Sequence, residues 1–209
     1  MVDILDKLNS KQKEAVLATE GRVRVTAGAG SGKTLVLTHR YAYLVNELGI
    51  SPSNILCVTF TNKAANEMKK RIANMVNGGN VNDFVCTIHG FCVKFLRKEI
   101  FRLGFPLNFS ILDEEDTKDL AKQVMEESNV NATQVTVKQF LNGISLYKKN
   151  SHEPSYIEKY TLPQSINERA DETERYLQLQ LKNFSLDFND LLLFTIYILE
   201  HYKYFICFI

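Results

Sequence analysis

Eight consecutive residues near the start of the chain have the types and spacing needed to hold a phosphate group. The first six are small, so their backbone N–H groups can converge on phosphate oxygens without obstruction by Cβ atoms. The lysine that follows would place a positive charge at the β and γ phosphates, and the threonine hydroxyl would ligate Mg²⁺. The pattern predicts that nucleotide phosphates bind to Ala27, Gly28, Ala29, Gly30, Ser31, Gly32, Lys33 and Thr34. Of these, Lys33 and Thr34 would act on the reacting phosphates.

The elements on either side of this loop fit that chemistry. Residues 22–26 are β-rich and residues 33–48 repeat apolar side chains at helical spacing, and a phosphate loop requires a strand before it and a helix after it. The helix would add its N-terminal dipole and its unpaired amides. The alternative is a glycine-rich turn without a ligand. Arg22 and Arg24 alternate with two valines, which is unusual in a central strand buried on both faces.

A second candidate constellation is Cys86, His89 and Cys92, whose spacing could suggest a zinc site. A structural zinc ion takes four ligands, and these three would be spread over a strand end, a turn and a helix start. Buried structural thiols are therefore the favoured interpretation, and no metal other than Mg²⁺ at Thr34 is expected.

The elements that must position these residues form two patterns. Up to about residue 104, strand-like and helical stretches alternate, which predicts a parallel α/β layer. The strand-like stretches are residues 22–26, 55–60 and 84–88, and the helical ones are residues 33–48, 62–76 and 90–103, with Gly104 as a stop. From about residue 110 the pattern is helical, at residues 113–128, 136–149 and 166–184, with a polar loop at 150–165 and no convincing strand between 105 and 183.

The strongly apolar tail, residues 191–209, permits two interpretations. A membrane span is one, but Glu200, His201 and Lys203 leave no uninterrupted apolar stretch of the required length. A helix through Leu199 followed by a buried strand at 204–209 accounts for the same residues. We expect the second arrangement and no membrane partner.

Composition limits the class of protein. The 209 residues are 45% hydrophobic and 23% charged, which is ordinary globular usage, and the net charge of +1 restricts any nucleic-acid surface to a local patch. The four cysteines form no C-x-x-C pair, and the chain does not open with a basic stretch followed by an apolar run. We expect a reduced, cytoplasmic location.

Four further motifs carry a family resemblance. The first, residues 8–16 (LNSKQKEAV), lies upstream of the loop. The second and third, residues 59–68 (TFTNKAANEM) and 87–92 (TIHGFC), follow the second and third predicted strands. The fourth, residues 187–192 (DFNDLL), follows the helical region. Together with the loop they resemble the N-terminal part of UvrD/Rep/PcrA-type superfamily 1 DNA helicases, over essentially the whole chain.

The resemblance implies a fold and a set of roles. The fold would be a P-loop (RecA-like) parallel sheet flanked by helices, with an inserted helical subdomain, and would form a partial motor domain. Residues 1–108 and 185–209 would belong to the ATP-binding domain. Residues 109–184 would form the insert, which in the family contacts duplex DNA at a single-strand/duplex junction. ATP and Mg²⁺ would bind at the loop, with Gln12 on the adenine. Single-stranded DNA would contact Phe60, Thr61, Asn62, Lys63, Thr87 and His89.

Two features of these residues suit DNA without the resemblance. An exposed phenylalanine at a strand end can stack on any base, although a phenylalanine is more often buried in a core. Residues 59–102 hold eight basic and three acidic side chains, an excess that suits a phosphate backbone, although such residues more often form a solvated face. Two departures from the family pattern stand at Leu35, where relatives have an arginine beside the adenine, and at Ile88, where they have phenylalanine.

The 209 residues do not include the carboxylate pair with which the family hydrolyses ATP. One acid must ligate Mg²⁺ and another must orient water, and the family has this pair after a strand that residues 204–209 would supply. We therefore expect a fragment or truncated product of a 3′→5′ helicase of DNA repair or replication, with little turnover of its own. The alternatives are a small P-loop NTPase and a non-catalytic nucleotide- or DNA-binding remnant.

Overall fold

The fold was analysed in a computed structural model, which describes residues 4–79, 81, 82, 84–150 and 171–202. Within those residues the chain forms two compact units, one ending at Phe91 and the other beginning at Cys92. This division into units does not test the predicted domain boundaries after residues 108 and 184, which stay a prediction. The predicted loop at 150–165, the start of the third helix of the helical region, and the strand at 204–209 lie largely or wholly outside the described residues.

The first unit contains helices that pack around two short parallel strands. A buried cluster that includes Tyr41, Leu44, Cys57, Met68 and Val85 joins the second and third helices to both strands. The elements of this unit are α1 (Ser10–Leu17), α2 (Lys33–Asn46), a 3₁₀ turn (Pro52–Asn54), β1 (Cys57–Thr59), α3 (Asn62–Ala73) and β2 (Val85–Thr87), and the helix α4 (Ile88–Glu99) begins in it.

The register of β1 and β2 fixes which loops are neighbours. The strands are parallel, and their last residues, Thr59 and Thr87, are partners. The segments that follow both strands therefore leave the sheet at the same edge. The predicted strands at 55–60 and 84–88 are confirmed, each shortened to three residues.

The first predicted strand, residues 22–26, is wrong. In the described part of the chain this segment is irregular, and β1 and β2 pair only with each other. Val23 and Val25 are about half exposed, so the alternation of arginine and valine creates no buried face there. A strand is stabilised by backbone pairing with a neighbour, and this segment pairs with none of the described strands.

The second unit is mainly helical. Its helices pack on a buried set of aliphatic and aromatic side chains that includes Val124, Ile144, Leu177 and Phe194. After α4 its elements are a 3₁₀ turn (Ile100–Leu103), β3 (Ser110–Ile111), α5 (Glu114–Glu127), α6 (Gln134–Asn150), α7 (Glu172–Lys182), β4 (Ser185–Leu186) and α8 (Phe188–His201).

Local signals explain where these helices begin and end. Asp113 caps α5 by accepting hydrogen bonds from the backbone N–H groups of Glu115 and Asp116, as the acidic start of this helix predicts. Gly104 adopts a left-handed conformation (φ 77°) after the 3₁₀ turn and confirms the predicted stop. The helices expected at 113–128 and 136–149 are confirmed to within two residues at each end.

One pair of strands was not expected. β3 and β4 are parallel, with Ser110 opposite Ser185 and Ile111 opposite Leu186, so the prediction of no strand between residues 105 and 183 is wrong at β3. Two residues are too few to show the alternation by which a strand is recognised in sequence. The apolar helix predicted in the tail is confirmed as α8, and no helix in the described residues is long and apolar enough to span a membrane.

Candidate functional site

The predicted phosphate loop forms a tight turn into α2. Gly30 and Gly32 have positive φ values of 75° and 86°, and Gly32 is the residue from which α2 begins. Glycine adopts this backbone conformation without steric cost, and a Cβ atom at Gly32 would lie 2.8 Å from Nε2 of Gln12. The first turn of α2 therefore presents its unpaired N–H groups beside the loop, which is the arrangement that binds anions.

Lys33 lies across the loop. Its Nζ donates to the carbonyl oxygens of Ala27 (3.1 Å) and Gly28 (2.6 Å), and the Gly28 oxygen also accepts from Oγ of Ser31 (2.8 Å). Lys33 and Thr34 are both exposed, so neither side chain is held by packing. The ammonium can exchange these carbonyl oxygens for phosphate oxygens without leaving a buried group unpaired.

Gln12 connects α1 to the loop. Its backbone N–H and its Oε1 atom form a capping box with Asn9, and its Nε2 donates to the carbonyl oxygen of Ser31 (3.1 Å). The structure thus brings the predicted adenine-contacting residue to the predicted phosphate loop, although the two lie far apart in sequence. In this arrangement both ends of the Gln12 amide are occupied by the chain's own backbone.

The predicted DNA-binding segment after β1 is strongly exposed. The Phe60 side chain is 94% exposed, so the more common fate of a phenylalanine, burial in a core, is excluded here. Oγ1 of Thr61 caps α3 by accepting from the Ala64 N–H (3.2 Å), and Asn62 and Lys63 are exposed in the first turn of that helix. The aromatic ring is available as a stacking surface at the edge of the sheet.

The second predicted DNA-binding motif lies beside the first. Thr87 ends β2 opposite Thr59, and its Oγ1 accepts from the Gly90 N–H (3.1 Å), so it orders the start of α4 where His89 is half-buried. A Cβ atom at Gly90 would meet this hydroxyl at 3.0 Å. Two segments that are 27 residues apart in sequence, at Phe60 and Thr87, therefore begin at neighbouring strand ends.

The basic residues predicted as one patch are divided between the units. Lys63, Lys69, Lys70 and Arg71 lie on α3, whereas Lys94, Arg97, Lys98 and Arg102 lie in the second unit. Arg97 is engaged in structure, since its guanidinium lies 4.0 Å from the Phe109 ring and donates to the Leu107 carbonyl oxygen. Arg102 pairs with Glu99. Part of the predicted positive charge therefore supports local packing.

The structure does not bring the side chains of Cys86, His89 and Cys92 together as a group that could hold a metal ion. Among the described residues, no group of three or more histidine, cysteine or carboxylate side chains is placed to hold a metal ion. Cys57, Cys86 and Cys92 are buried and form no disulfide, as the sequence predicts for structural thiols.

Sequence reasoning missed a buried charge cluster in the second unit. Lys148 on α6 is fully buried, and its Nζ donates to Oδ2 of Asp187 (2.6 Å), Oδ2 of Asp190 (2.8 Å) and Oε1 of Gln180 (2.9 Å). Gln180 also donates to Asp190. The only sequence signal was the spacing of Asp187 and Asp190, which form a capping box at the start of α8.

The cluster shifts the titration of its acids in opposite directions. Burial opposes ionisation of Asp187, but the Lys148 ammonium and hydrogen bonds hold the pKa of this carboxyl below its ordinary value. Burial dominates at Asp190 and raises the pKa of that carboxyl. Both carboxylates are occupied by Lys148 and by the backbone N–H groups at the start of α8.

Comparisons with known proteins agree with this arrangement. Residues 8–206 match the model of the UvrD/REP helicase N-terminal domain. Two similar proteins are both named ATP-dependent DNA helicase PcrA. The one from Staphylococcus aureus strain Mu50 is 39% identical to this chain over 94% of the chain, and the one from Bacillus subtilis strain 168 is 42% identical to it over 92%. These alignments cover 27% and 26% of the relatives, so the chain spans about a quarter of their length.

The matched region includes the phosphate loop, both segments at the edge of the β1–β2 sheet and the Asp187–Asp190 capping box. Every motif on which the resemblance depends thus falls inside it. The chain belongs to the UvrD/REP helicase family, of which it carries the N-terminal domain.

Proposed function

We propose that this chain is the ATP- and single-stranded-DNA-binding N-terminal portion of an ATP-dependent 3′→5′ DNA helicase acting in DNA repair or replication in the cytoplasm. The observation that carries the proposal is the parallel pairing of β1 and β2, which brings an almost fully exposed Phe60 and the Thr87 motif to one edge of a sheet. The family membership and the names of the relatives support the same activity.

On the nucleotide side, the phosphates of ATP would bind at residues 27–34. Loop N–H groups and the start of α2 would contact phosphate oxygens, and Lys33 would transfer its ammonium to them from the carbonyls of Ala27 and Gly28. The exposed hydroxyl of Thr34 would hold Mg²⁺ with ATP, and the ion would supply neutralisation of phosphate charge. Gln12 would exchange its bond to Ser31 for the adenine edge.

On the DNA side, Phe60 would stack on a base, and stacking of this kind is indifferent to sequence because every base has a π-face. Thr61, Asn62 and Lys63 would contact the backbone beside it, with Thr87 and His89 contributing from the neighbouring strand end. The helical residues 109–184 would reach the single-strand/duplex junction. The complete arrangement would be the first RecA-like motor domain, residues 1–108 and 185–209, with a helical insert.

The carboxylates of this chain support a proposal of binding without hydrolysis. Turnover requires one acid on Mg²⁺ and another that orients water. Two acids of the last motif, Asp187 and Asp190, are instead bonded to the buried Lys148. We therefore expect Mg²⁺-ATP binding with negligible turnover from these 209 residues.

The nucleotide part is tested by titrating the chain into a fluorescent N-methylanthraniloyl-ATP with Mg²⁺. Wild type should bind, and Lys33→Ala should weaken binding at least tenfold, since hydrogen bonds to a charged group contribute about 1.5–3 kcal/mol. Lys138→Ala, which removes an exposed lysine of α6, is the matched control and should bind like wild type.

The same samples separate the alternatives. DNA-stimulated phosphate release that Lys33→Ala abolishes would contradict the expected lack of turnover. Phosphoryl transfer to a small acceptor would favour a complete small NTPase. Salt-sensitive binding of single-stranded DNA without any nucleotide affinity would favour a DNA-binding remnant with a vestigial loop.

A further inference from the structure

The position of Gln12 depends on a helix that is too short to be stable alone. α1 has eight residues, and isolated helices of that length are marginal in water. A capping box with Asn9 stabilises its start, and Val16 anchors it by burial. Its last turn carries no basic residue of its own, although a cation is favourable at that end of a helix. The contacts that hold this end of α1 therefore help to determine where Gln12 lies.

Arg40 of α2 supplies a cation at the end of α1. Its Nη1 donates to the carbonyl oxygen of Ala15 (2.8 Å), one of the last carbonyl groups of that helix. The backbone of α1 leaves this oxygen unpaired, because the N–H group four residues on, at Thr19, donates to Leu17 instead. A guanidinium at this place completes the hydrogen bonding of the helix end and complements the helix dipole.

The charge of Arg40 is committed to this contact. Arg40 is half-buried, and burial lowers the pKa of its guanidinium. In the described part of the chain the Ala15 carbonyl is its hydrogen-bond partner, and no carboxylate pairs with it. Partial burial of a charge costs free energy unless hydrogen bonds replace the lost water. The bond to Ala15 therefore accounts for a guanidinium at this position.

The two residues before Arg40 also bind backbone oxygens. His39 is buried, and its Nδ1 donates to the carbonyl oxygen of Ile4 (2.7 Å), ahead of α1. Thr38 is buried too, and its Oγ1 donates to the carbonyl oxygens of Thr34 (3.0 Å) and Leu35 (2.9 Å) in the first turn of α2. The second turn of α2 is thus bonded to the chain on both sides of Gln12 and to the turn that follows the phosphate loop.

We propose that Arg40 is a positioning residue for nucleotide recognition, which holds the end of α1 so that Gln12 lies against the phosphate loop. α2 begins at the loop and carries Arg40 in its second turn, so one helix sets the separation between the phosphate contacts and the adenine contact. A contact that is in place before the ligand arrives costs less entropy on binding. The inference rests on the proposed nucleotide site, and Arg40 acts through Gln12 rather than on ATP.

The test is a double-mutant cycle on the binding of ATP and of inorganic tripolyphosphate, each with Mg²⁺ and each measured by calorimetry. Tripolyphosphate reports the phosphate loop alone, whereas ATP reports the loop and the adenine contact together. Gln12→Ala and Arg40→Leu should each weaken ATP binding about fivefold, the value of one hydrogen bond, and leave tripolyphosphate binding unchanged. In the Gln12→Ala background, Arg40→Leu should have no further effect on ATP binding.

Two further variants serve as controls. Arg40→Lys keeps a donor that can reach the Ala15 carbonyl and should retain more ATP affinity than Arg40→Leu. Arg97→Leu removes a guanidinium that donates to the Leu107 carbonyl at the same distance, 2.8 Å, but in the second unit. It should bind both probes like wild type.

The outcomes separate this inference from the proposed function. The positioning role alone would be overturned if Arg40→Leu bound ATP like wild type while Gln12→Ala did not, if it weakened both probes alike, or if its effect on ATP were the same with and without Gln12. Unchanged ATP binding by Gln12→Ala would overturn the proposed adenine contact, and no binding of either probe to wild type would overturn the proposed nucleotide site. Both of these results would overturn the inference as well.

Discussion

Two lysines, one in each unit, are held in opposite ways. Lys33 is exposed, and its ammonium rests on the carbonyl oxygens of Ala27 and Gly28. Lys148 is fully buried, and its ammonium holds Asp187 and Asp190. Water can replace the contacts of the Lys33 ammonium, whereas water has no access to the buried Lys148 ammonium.

The difference separates residues that are proposed to bind ligands from residues that stabilise the fold. Lys33, Thr34 and Phe60 are exposed and can be changed with little effect on packing, so their loss should be measured in ligand affinity. Changes in the Lys148 cluster should instead lower stability, because removing one partner leaves an unpaired charge in the interior. The sequence shows that both residues are charged lysines, but it does not show which of them is buried. Burial is what distinguishes a role in ligand binding from a role in stability.

The largest expected effect is on the second unit. Lys148→Met should lower the free energy of unfolding by about 3–5 kcal/mol, because both carboxylates lose their cation. Urea unfolding, with hydrogen exchange of α6 and α7 amides, measures it. Lys149→Met, at the exposed neighbouring position, should change stability by at most about 0.5 kcal/mol. If the Lys148→Met variant were as stable as that control, the claim that Lys148 stabilises the fold would be contradicted.

A smaller effect is expected at the phosphate loop. Gly32→Ala places a Cβ on a residue with φ of 86°, 2.8 Å from Nε2 of Gln12, and should cost about 1–2 kcal/mol of stability as well as nucleotide affinity. Gly28→Ala is the matched control, since nothing lies within 4 Å of the added Cβ. Thermal unfolding of both variants checks this, and equal behaviour would show that the turn does not require glycine at 32.

The smallest effect concerns pH. Burial raises the pKa of Cys57 to about 11 from an ordinary 9.0, so the folded state keeps this proton longer than the unfolded state. Its contribution to stability is therefore complete below about pH 9 and declines as pH rises towards 11.

The stability difference between wild type and Cys57→Ala should shrink by about 1 kcal/mol between roughly pH 8 and pH 10. Urea unfolding at the two pH values measures this difference and cancels the titration of other groups. A constant difference would show that the Cys57 thiol is accessible to water in the folded unit.

Sequence predicted most of the helices because their signals are local. The acidic start of α5 and the glycine at 104 each act within one helical turn, so both ends are visible without knowledge of the fold. The turn at the loop was equally visible, since the glycines that form it lie close together in sequence.

Long-range features were not predictable in the same way. β3 and β4 are two residues each and stabilise one another across 75 positions, and Lys148 meets Asp187 across 39. The segment at 22–26 has the composition of a strand but lacks a described partner to pair with. Exposure of Phe60 was likewise decided by tertiary structure, because its type alone favours burial.

The most direct test of the central claim is the binding of a fluorescein-labelled oligothymidine to the chain, followed by anisotropy. Phe60→Ala should leave stability unchanged and should weaken binding by about 1–3 kcal/mol, roughly five- to 150-fold, because one stacking surface is lost. Phe101→Ala, which removes another exposed phenylalanine, is the control and should bind like wild type. Equal affinity of Phe60→Ala and wild type would contradict the assignment of the β1–β2 edge as the DNA-binding surface.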